Sequence, residues 1–272
     1  MYTVIPHLLR RTIKVAVIGC GGTGSAIAAG LPHLHQAMVA SGHPSGLSVT
    51  VIDGDRIAPS NCVRQPFSGT EIGLFKAVVL INRLNLFWGL QWEAIPQHIA
   101  KGHGIANDVD LVIGCVDTRR ARATIDQTLT NAWCGTQYWL DLGNNADSGQ
   151  FVLGQPLNRV NRRKASRLRT VPELFEEIVD PGLDDDTQPS CNAAEALERQ
   201  HPFINQALAQ HALALLSRLF RSESLSYHGG FVNLSSGSVV PLRADPGVWK
   251  RLRRRARHAY AEPYGERRRI NG

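Results

Sequence analysis

The sequence predicts an α/β fold: a Rossmann-type, mostly parallel sheet flanked by helices, with an antiparallel extension and a long charged crossover loop. Short β-branched runs alternate with stretches whose apolar residues recur at helical spacing. A glycine-rich turn joins the first predicted strand to the first helix, and polar residues follow directly after later strands. Because alternating strands and helices connect through right-handed crossovers, we expect most strands to run parallel.

The first half of the chain supplies these elements in order. They are the strand IKVAVI (13–18), the turn and helix GCGGTGSAIAAGL (19–31), the strand LSVTVID (47–53), the helix EIGLFKAVVLINRLNLF (71–87), the strand DLVIGCV (110–116), the helix RRARATIDQTLTNAW (119–133), and the strands YWLDLG (138–143) and GQFVLG (149–154). Only NNADS separates the last two strands, which indicates a hairpin or an antiparallel extension of the sheet.

The composition changes after Gln155. Residues 159–169 hold six basic residues and no acid, whereas residues 173–186 hold seven acids and no base. Such opposed charge blocks predict a long, mobile crossover rather than a packed element. Residues 191–220 are expected to form one or two helices, and residues 231–243 a strand pair. The expected division is a nucleotide-binding α/β part (1–155), a mobile charged crossover (156–190), a helix and strand pair completing the same domain (191–247) and a basic tail (248–272).

Composition and cysteine usage argue against several classes of protein. The chain has 272 residues, of which 43% are apolar, and no apolar run approaches the roughly 20 residues that a membrane span requires. The N-terminus lacks the ordered regions of a secretory signal, so a cytoplasmic location is expected. Five widely spaced cysteines without a C-x-x-C pair argue against a disulfide framework and a tetrathiolate zinc site.

The net charge of +7 belongs to the C-terminal tail. From Lys250 onward the chain carries nine Lys or Arg against two Glu, so the rest of the sequence is balanced at 21 basic and 21 acidic residues. Such a tail binds nucleic acid or an acidic partner in some proteins, through counterion release. A solvated helix end followed by disorder is an equally good interpretation.

A nucleotide site is indicated by the turn after the first strand. Gly19, Gly21 and Gly24 form G-x-G-x-x-G, so that backbone N–H groups at a helix N-terminus can face a pyrophosphate without side-chain obstruction. Asp53 closes the second strand, where a carboxylate can accept hydrogen bonds from ribose hydroxyls. The alternative interpretation is a tight turn that binds no ligand.

The polar residues that follow Asp53 favour a triphosphate. Asn61, Arg64 and Lys76 are suited to phosphate oxygens, which a displacement reaction must surround with cations, whereas a nicotinamide cofactor has no need of them. Asp117 follows a later strand, and its carboxylate could hold Mg²⁺ against the phosphates. Taken singly, Lys76 also fits an exposed helix lysine and Asp117 a helix cap.

Four motifs in this order resemble those of the ThiF/MoeB/ubiquitin-activating superfamily. VIGCGGTGSA, VIDGDRIAPSNCVRQ, IGLFKA and GCVDTRRAR are similar to its glycine loop, its D-x-D…S-N-x-x-R-Q segment, its G-x-x-K-A helix and its D-x-x-x-x-R strand end. The resemblance covers residues 13–145 and, more loosely, 188–220. The second half, with its charged crossover, most resembles the ThiF-like members of bacterial PRTRC systems.

The resemblance implies a specific reaction. Enzymes of this superfamily use ATP and Mg²⁺ to adenylate the C-terminal glycine carboxylate of a ubiquitin-like or sulfur-carrier (β-grasp) protein, and a homodimer is expected. The resemblance implies that Asp53 contacts the ribose, that Asn61, Arg64 and Lys76 contact the triphosphate, and that Asp117 binds the metal. The candidate nucleotide contacts are Gly19, Gly21, Gly22, Gly24, Asp53, Asp55, Asn61, Arg64, Gln65 and Lys76, and the candidate catalytic residues are Arg64, Lys76, Asp117 and Cys191.

Cys191 is a candidate for covalent chemistry. In the superfamily a cysteine on the crossover loop can accept the activated acyl group as a thioester, and Cys191 matches that position. The alternative is an unreactive packing or capping cysteine, which is also how we interpret Cys62 and Cys115. Arg122 is expected either to support the phosphate-binding region or to lie on a helix surface.

Two other functions remain open on the residues alone. A NAD-dependent dehydrogenase needs only the glycine loop and Asp53, and it leaves the phosphate-binding residues unexplained. A non-catalytic nucleotide-binding scaffold would use the basic tail to hold nucleic acid or an acidic partner.

Overall fold

The protein is built on one eight-stranded sheet and a small two-stranded one. The computed structural model describes residues 2–3, 6–100, 105, 108–184, 200–221, 224–254 and 256. The strands are β1 (Tyr2–Thr3), β2 (Ile13–Ile18), β3 (Leu47–Ile52), β4 (Glu93–Ile95), β5 (Leu111–Gly114), β6 (Tyr138–Asn144), β7 (Ser148–Gly154), β8 (Ser224–Leu225), β9 (Tyr227–Asn233) and β10 (Ser238–Arg243). The order in the main sheet is β10-β9-β7-β6-β5-β2-β3-β4, and β1 pairs with β8.

The main sheet is mixed, as the sequence predicts. Strands β2 to β6 are parallel, whereas β7, β9 and β10 continue the sheet with antiparallel pairing. This confirms the α/β fold class, the antiparallel extension and the late strand pair. The short strands β1, β4 and β8 were not predicted, because two or three residues are too few to show a periodicity.

The central strands are apolar on both faces because helices cover both faces of a parallel sheet. All four residues of β5 are buried, and so are five of the six in β2. Trp139, Ile13 and Ile113 are among the largest fully buried side chains, so the core is centred on β2, β5 and β6.

The helices form a layer on each side of the sheet. They are α1 (Gly22–Ala40), α2 (Asn61–Arg64), α3 (Lys76–Trp88), α4 (Arg119–Leu129), α5 (Val171–Leu174) and α6 (Ile204–Arg221), with a further helix at residues 246–254. Helix α1 packs on α6 and α3, whereas α4 packs on the 3₁₀ turns Glu176–Val179 and Pro181–Leu183. Right-handed crossovers place α1 and α4 on opposite faces, because the chain moves to opposite sides of β2. No helix among the described residues is long and apolar enough to cross a lipid bilayer.

The crossover differs from the sequence prediction over residues 156–184. Leu168, Val171 and Leu174 are buried in the core, and α5 begins at a capping box made by Thr170 and Glu173. The two charge blocks do not extend away from the protein, because their boundary residues pair with one another. The part of the crossover that the structure describes is therefore packed on the core, where the sequence predicted no packed element; residues 185–199, including Cys191, lie outside the described residues.

Candidate functional site

A pocket of about 690 Å³ lies at the carboxyl ends of the parallel strands. In the strand order, the chain moves from β2 to β3 on one side and later to β5 on the other. Two diverging crossovers leave a crevice at such a switch point, and open α/β sheets bind ligands there. The volume falls within the range of about 300–1,000 Å³ that is typical of small-molecule sites.

Most residues predicted from the sequence line this pocket. They are Gly19, Gly21, Gly22, Asp53, Asp55, Asn61, Arg64, Gln65, Lys76 and Asp117. Gly24 does not line it and packs beneath the glycine loop instead. Segments far apart in sequence therefore meet in one cavity.

The glycine loop requires glycine for two different reasons. Gly19 has φ +92°, and a Cβ there would lie 2.6 Å from the Cys115 carbonyl oxygen. A Cβ on Gly24 would overlap the Gly19 carbonyl oxygen, so this residue lets α1 approach the turn. Gly21, the N-cap of α1, has no atom within 4 Å of the Cβ position. The first N–H groups of a helix have no partner within the helix, and here they lie at the pocket wall.

Asp53 ties the glycine loop to the strand beside it. Its carboxylate accepts hydrogen bonds from the Cys20 N–H and, at 2.7 Å, from the Asp55 N–H. Burial raises the pKa of Asp53 above its ordinary value, although these two bonds act in the opposite direction. Asp53 thus holds the loop in place as well as lining the pocket.

Lys76 is buried at the pocket wall, where an ion pair holds its ammonium group in position. It is the first residue of α3, and its Nζ lies 2.9 Å from Asp55 Oδ2. Its side chain is only 7% exposed, which excludes the alternative of an exposed helix lysine. The other carboxylate oxygen of Asp55 lies 3.8 Å from His98 Nε2. Asp55 therefore offsets the cost of burying the ammonium group and sets its position.

Arg64 and Gln65 each have a buried polar atom that no described residue pairs with. Arg64 Nη1 donates to Gln200 Oε1, but within the described part of the chain neither Arg64 Nε nor Gln65 Oε1 has a hydrogen-bond partner. Burial lowers the pKa of Arg64. Unpaired buried polar atoms are costly, so both atoms favour a polar ligand in the pocket. Asn61 accepts a bond from the Ala58 N–H at 2.9 Å through its side-chain oxygen.

Asp117 is exposed in the pocket, and the adjacent residue caps the helix. The Thr118 side chain accepts a bond from the Ala121 N–H at 3.2 Å, so Thr118 rather than Asp117 is the N-cap of α4. Arg122 is buried; its Nε donates to Asp141 Oδ1 at 2.8 Å, and its Nη2 donates to the Val116 carbonyl oxygen at 2.9 Å. Arg122 thus supports the strand end that presents Asp117 and is not a surface arginine.

Two cysteines near the pocket are unsuited to nucleophilic chemistry. Burial raises the pKa of the Cys20 and Cys115 thiols, so both stay protonated at neutral pH. This agrees with the interpretation of Cys115 as a packing residue.

Several pocket residues were not predicted. Gln97 and His98 follow β4, the strand that the sequence did not reveal. Asn144, at the end of β6, donates to Asn205 at 3.3 Å, and Thr23 donates to the same Asn205 oxygen at 2.8 Å. The position of Asn144 after a predicted strand was the one available signal, because strand ends meet at one edge of the sheet.

The fold is similar to that of two solved proteins. PaaA has a TM-score of 0.56 at 15% identity, with 85% of this chain and 64% of that chain covered. E. coli MccB has a TM-score of 0.56 at 18% identity, with 87% and 63% covered. MccB has also been solved with ATP and with MccA. This chain thus spans less than two thirds of either protein.

A family model identifies the chain more directly. A search among curated proteins found no match. The model of the ThiF family matches residues 8–239, which include the glycine loop, Lys76, Asp117 and the late strand β9. The protein therefore belongs to the ThiF family.

Proposed function

We propose that the protein is an ATP-dependent adenylyltransferase that activates the C-terminal carboxylate of a small ubiquitin-like or sulfur-carrier protein ending in glycine. One observation carries the proposal. At the switch point of the sheet, the glycine loop shares a single pocket with Lys76, Arg64, Asn61 and Asp117. Membership of the ThiF family supports the same type of reaction.

The pocket suits ATP in its chemistry. The N-terminus of α1 and the side chains of Arg64 and Lys76 provide N–H donors and positive charge for phosphate oxygens. The unpaired Arg64 Nε and Gln65 Oε1 provide a donor and an acceptor that a bound nucleotide would satisfy. MccB, which shares the fold, has been solved with ATP and with MccA, which supports ATP and a small polypeptide as the two substrates.

Mg²⁺ would have a single carboxylate from this part of the chain. Among the described residues there is no group of three or more His, Cys, Asp or Glu placed to hold a metal. Asp117 would supply one ligand, and phosphate oxygens and water the others, as is usual for Mg²⁺ at nucleotide sites. Bound there, the ion would neutralise charge on the phosphate oxygens.

The chain's own residues act mainly by positioning and charge neutralisation. In the proposed reaction a substrate carboxylate oxygen bonds to the α-phosphorus, the bond from that phosphorus to the bridging oxygen breaks, and pyrophosphate leaves with the electron pair. Lys76 and Arg64 stabilise the negative charge that collects on the leaving group, and Asp53 holds the loop and accepts from the ribose. No step requires a protein nucleophile.

Three narrower assignments belong to this proposal. The protein is a ThiF-like member of a PRTRC system, it acts as a homodimer, and Cys191 then accepts the acyl group as a thioester. The exposed Val239 and Val240 on β10, the last strand of the sheet, are a suitable dimer contact.

A dehydrogenase is disfavoured, because a nicotinamide cofactor would leave the pocket residues Lys76 and Arg64 without a role.

ATP–pyrophosphate exchange tests the proposal. The full-length protein, ATP, Mg²⁺ and a panel of β-grasp carrier proteins ending in glycine are expected to give exchange that requires one of the carriers. Asp117→Asn should lower the exchange rate about 100-fold, because it would remove the carboxylate ligand of the Mg²⁺ ion that neutralises charge on the phosphate oxygens. Glu93→Gln is the matched control: it removes one exposed carboxylate at the start of β4 and should leave the rate unchanged.

Two results would contradict the proposal. ATP binding without exchange, whichever carrier is present, would make the protein a nucleotide-binding scaffold. Absence of ATP binding by calorimetry would overturn the assignment of the pocket itself.

A further inference from the structure

Two basic segments lie at the edge of the sheet opposite the ATP pocket. The parallel strands begin at that edge, β7 and β10 end there, and β9 begins there. Residues 155–169 follow β7, and the helix at residues 246–254 follows β10. Although 76 residues separate them in sequence, the antiparallel extension brings both segments to the same side of the molecule.

A chain of buried hydrogen bonds connects the two segments. Trp249 Nε1 donates to His228 Nε2 at 2.8 Å, and His228 Nδ1 lies 2.6 Å from the Leu153 carbonyl oxygen. An indole N–H can only donate, so His228 is neutral and carries its proton on Nδ1. Gln155 lies two residues after Leu153. Its N–H donates to the Leu168 carbonyl oxygen at 3.0 Å, so the basic segment 155–169 forms a loop whose two ends are joined by this hydrogen bond.

The outer side chains of both segments are cations without acidic partners. We call them the basic face: Arg159, Arg162, Arg163, Lys250, Arg253 and Arg254. All six are exposed, and none has a carboxylate within ion-pair distance in the described part of the chain. By contrast, Arg167 and Arg169 of the same loop both pair with Glu173. The loop thus has a neutralised base and a charged outer surface.

Three acidic residues at this edge have partners other than the basic face. Asp110 pairs with Arg11 at 2.5 Å, and Asp108 pairs with Lys14. Asp245 accepts from the Val248 N–H at 3.0 Å at the start of the last helix. The positive charge of the basic face therefore remains largely uncompensated.

An exposed aromatic side chain lies at the same edge. Trp133 is 80% exposed in the turn between α4 and β6. Two residues of the basic loop attach to this turn, because Asn158 and Asn161 donate to the Thr136 carbonyl oxygen at 2.9 and 3.1 Å. An exposed indole in a turn that contacts the basic loop combines a stacking surface with phosphate-binding groups.

We propose that the basic face binds nucleic acid through its phosphate backbone, with Trp133 stacking on a base. The six cations are exposed and come from two separate segments of the chain, which suits an extended polyanion better than a small anion. Five of the six are arginines in the loop and the helix, and arginine makes bidentate contacts with phosphate.

A membrane surface fits this face less well. Helices that bind lipid insert an exposed apolar side, but the apolar residues of the last helix face the protein. Trp249 is buried, and Val248 and Leu252 pack against the core. The proposal does not depend on adenylation, because no residue of the basic face lines the ATP pocket.

Fluorescence anisotropy with a labelled 20-nucleotide single-stranded RNA tests the proposal on the full-length chain. Binding should weaken with salt, because each phosphate contact to a single strand contributes about 0.7 to the slope of log K against log [salt]. Arg162→Ala and Arg163→Ala should each reduce that slope by about 0.7. Arg120→Ala is the matched control, since it removes one exposed arginine at the pocket end of α4. Trp133→Leu should weaken binding without changing the slope.

Three results would overturn the proposal. The first is absence of binding in 50 mM salt. The second is an unchanged slope in both arginine variants, which would show that the basic loop makes no phosphate contacts and that the two segments do not form one binding face. The third is tighter binding of a labelled 20-residue polyglutamate peptide, or of phosphatidylserine vesicles, than of the RNA. Circular dichroism confirms that each variant is folded, so a loss of binding reports on the surface.

Discussion

At the scale of single residues, two glycines of the glycine loop differ in how strongly the packing of the fold requires them. Gly24→Ala would place a Cβ against the Gly19 carbonyl oxygen, so α1 must shift away from the turn. We expect this variant to lose about 2 kcal/mol of stability and at least tenfold in ATP affinity. Gly21→Ala should change stability by less than about 0.5 kcal/mol, because that Cβ position is open. Chemical denaturation and calorimetry with ATP check both; equal destabilisation of the two variants would contradict the prediction.

The site residues that could be predicted are those whose residue type, at that position relative to a strand, has few uses other than ligand binding. Glycines after a strand and a carboxylate at a strand end have few other uses, so Gly19, Gly24 and Asp53 were identified from the sequence. His98 was missed because β4 has only three residues and no detectable alternation. Asn205 was missed because its contact with Thr23 depends on how α6 packs against α1, which sequence spacing does not report.

At the scale of elements, the crossover shows how opposite charges can form a packed structure. Burial alone would raise the pKa of Glu173, but bonds from Arg167, Thr170 and Arg169 outweigh it and lower the pKa to about 2. The sequence interpretation treated the basic and acidic blocks as separate solvated runs. It did not take into account that Leu168, Val171 and Leu174 alternate with those charges and draw them onto the core.

Glu173 should therefore make the stability of the protein depend on pH. Because its pKa is lower in the folded state, its contribution is complete above the ordinary value of 4.5 and is lost as the pH falls towards about 2. Glu173→Gln is expected to cost about 2 kcal/mol at pH 7 and progressively less between pH 5 and pH 2. Urea unfolding across this range measures the difference, with Glu177→Gln as a control in the same segment. A cost that stays constant with pH would show that the ion pairs do not provide the stability.

At the scale of the whole molecule, the topology places the two proposed binding sites at opposite ends of the same strands. The switch between β2 and β5 opens the nucleotide pocket at the carboxyl ends, and the antiparallel extension returns the chain to the amino ends. The alternation of strands and helices was enough to predict the first of these. For the second, the sequence indicated nucleic-acid binding by the basic tail as one alternative. It did not reveal that residues 155–169 lie on the same side of the molecule as the helix at 246–254, because this requires the pairing of β7 with β9 and the anchoring of Trp249 on His228.

This separation predicts that ATP and nucleic acid bind independently. The six residues of β2 span about 20 Å, more than twice the screening length of about 8 Å at physiological ionic strength. The strands between the two sites are buried in a close-packed core, which offers no second arrangement to transmit a shift. The Kd for ATP, measured by calorimetry with and without saturating single-stranded RNA, should therefore change less than about twofold. A change of tenfold would instead require the two ends of the sheet to share a conformational equilibrium, and by reciprocity ATP would then alter RNA affinity by the same factor.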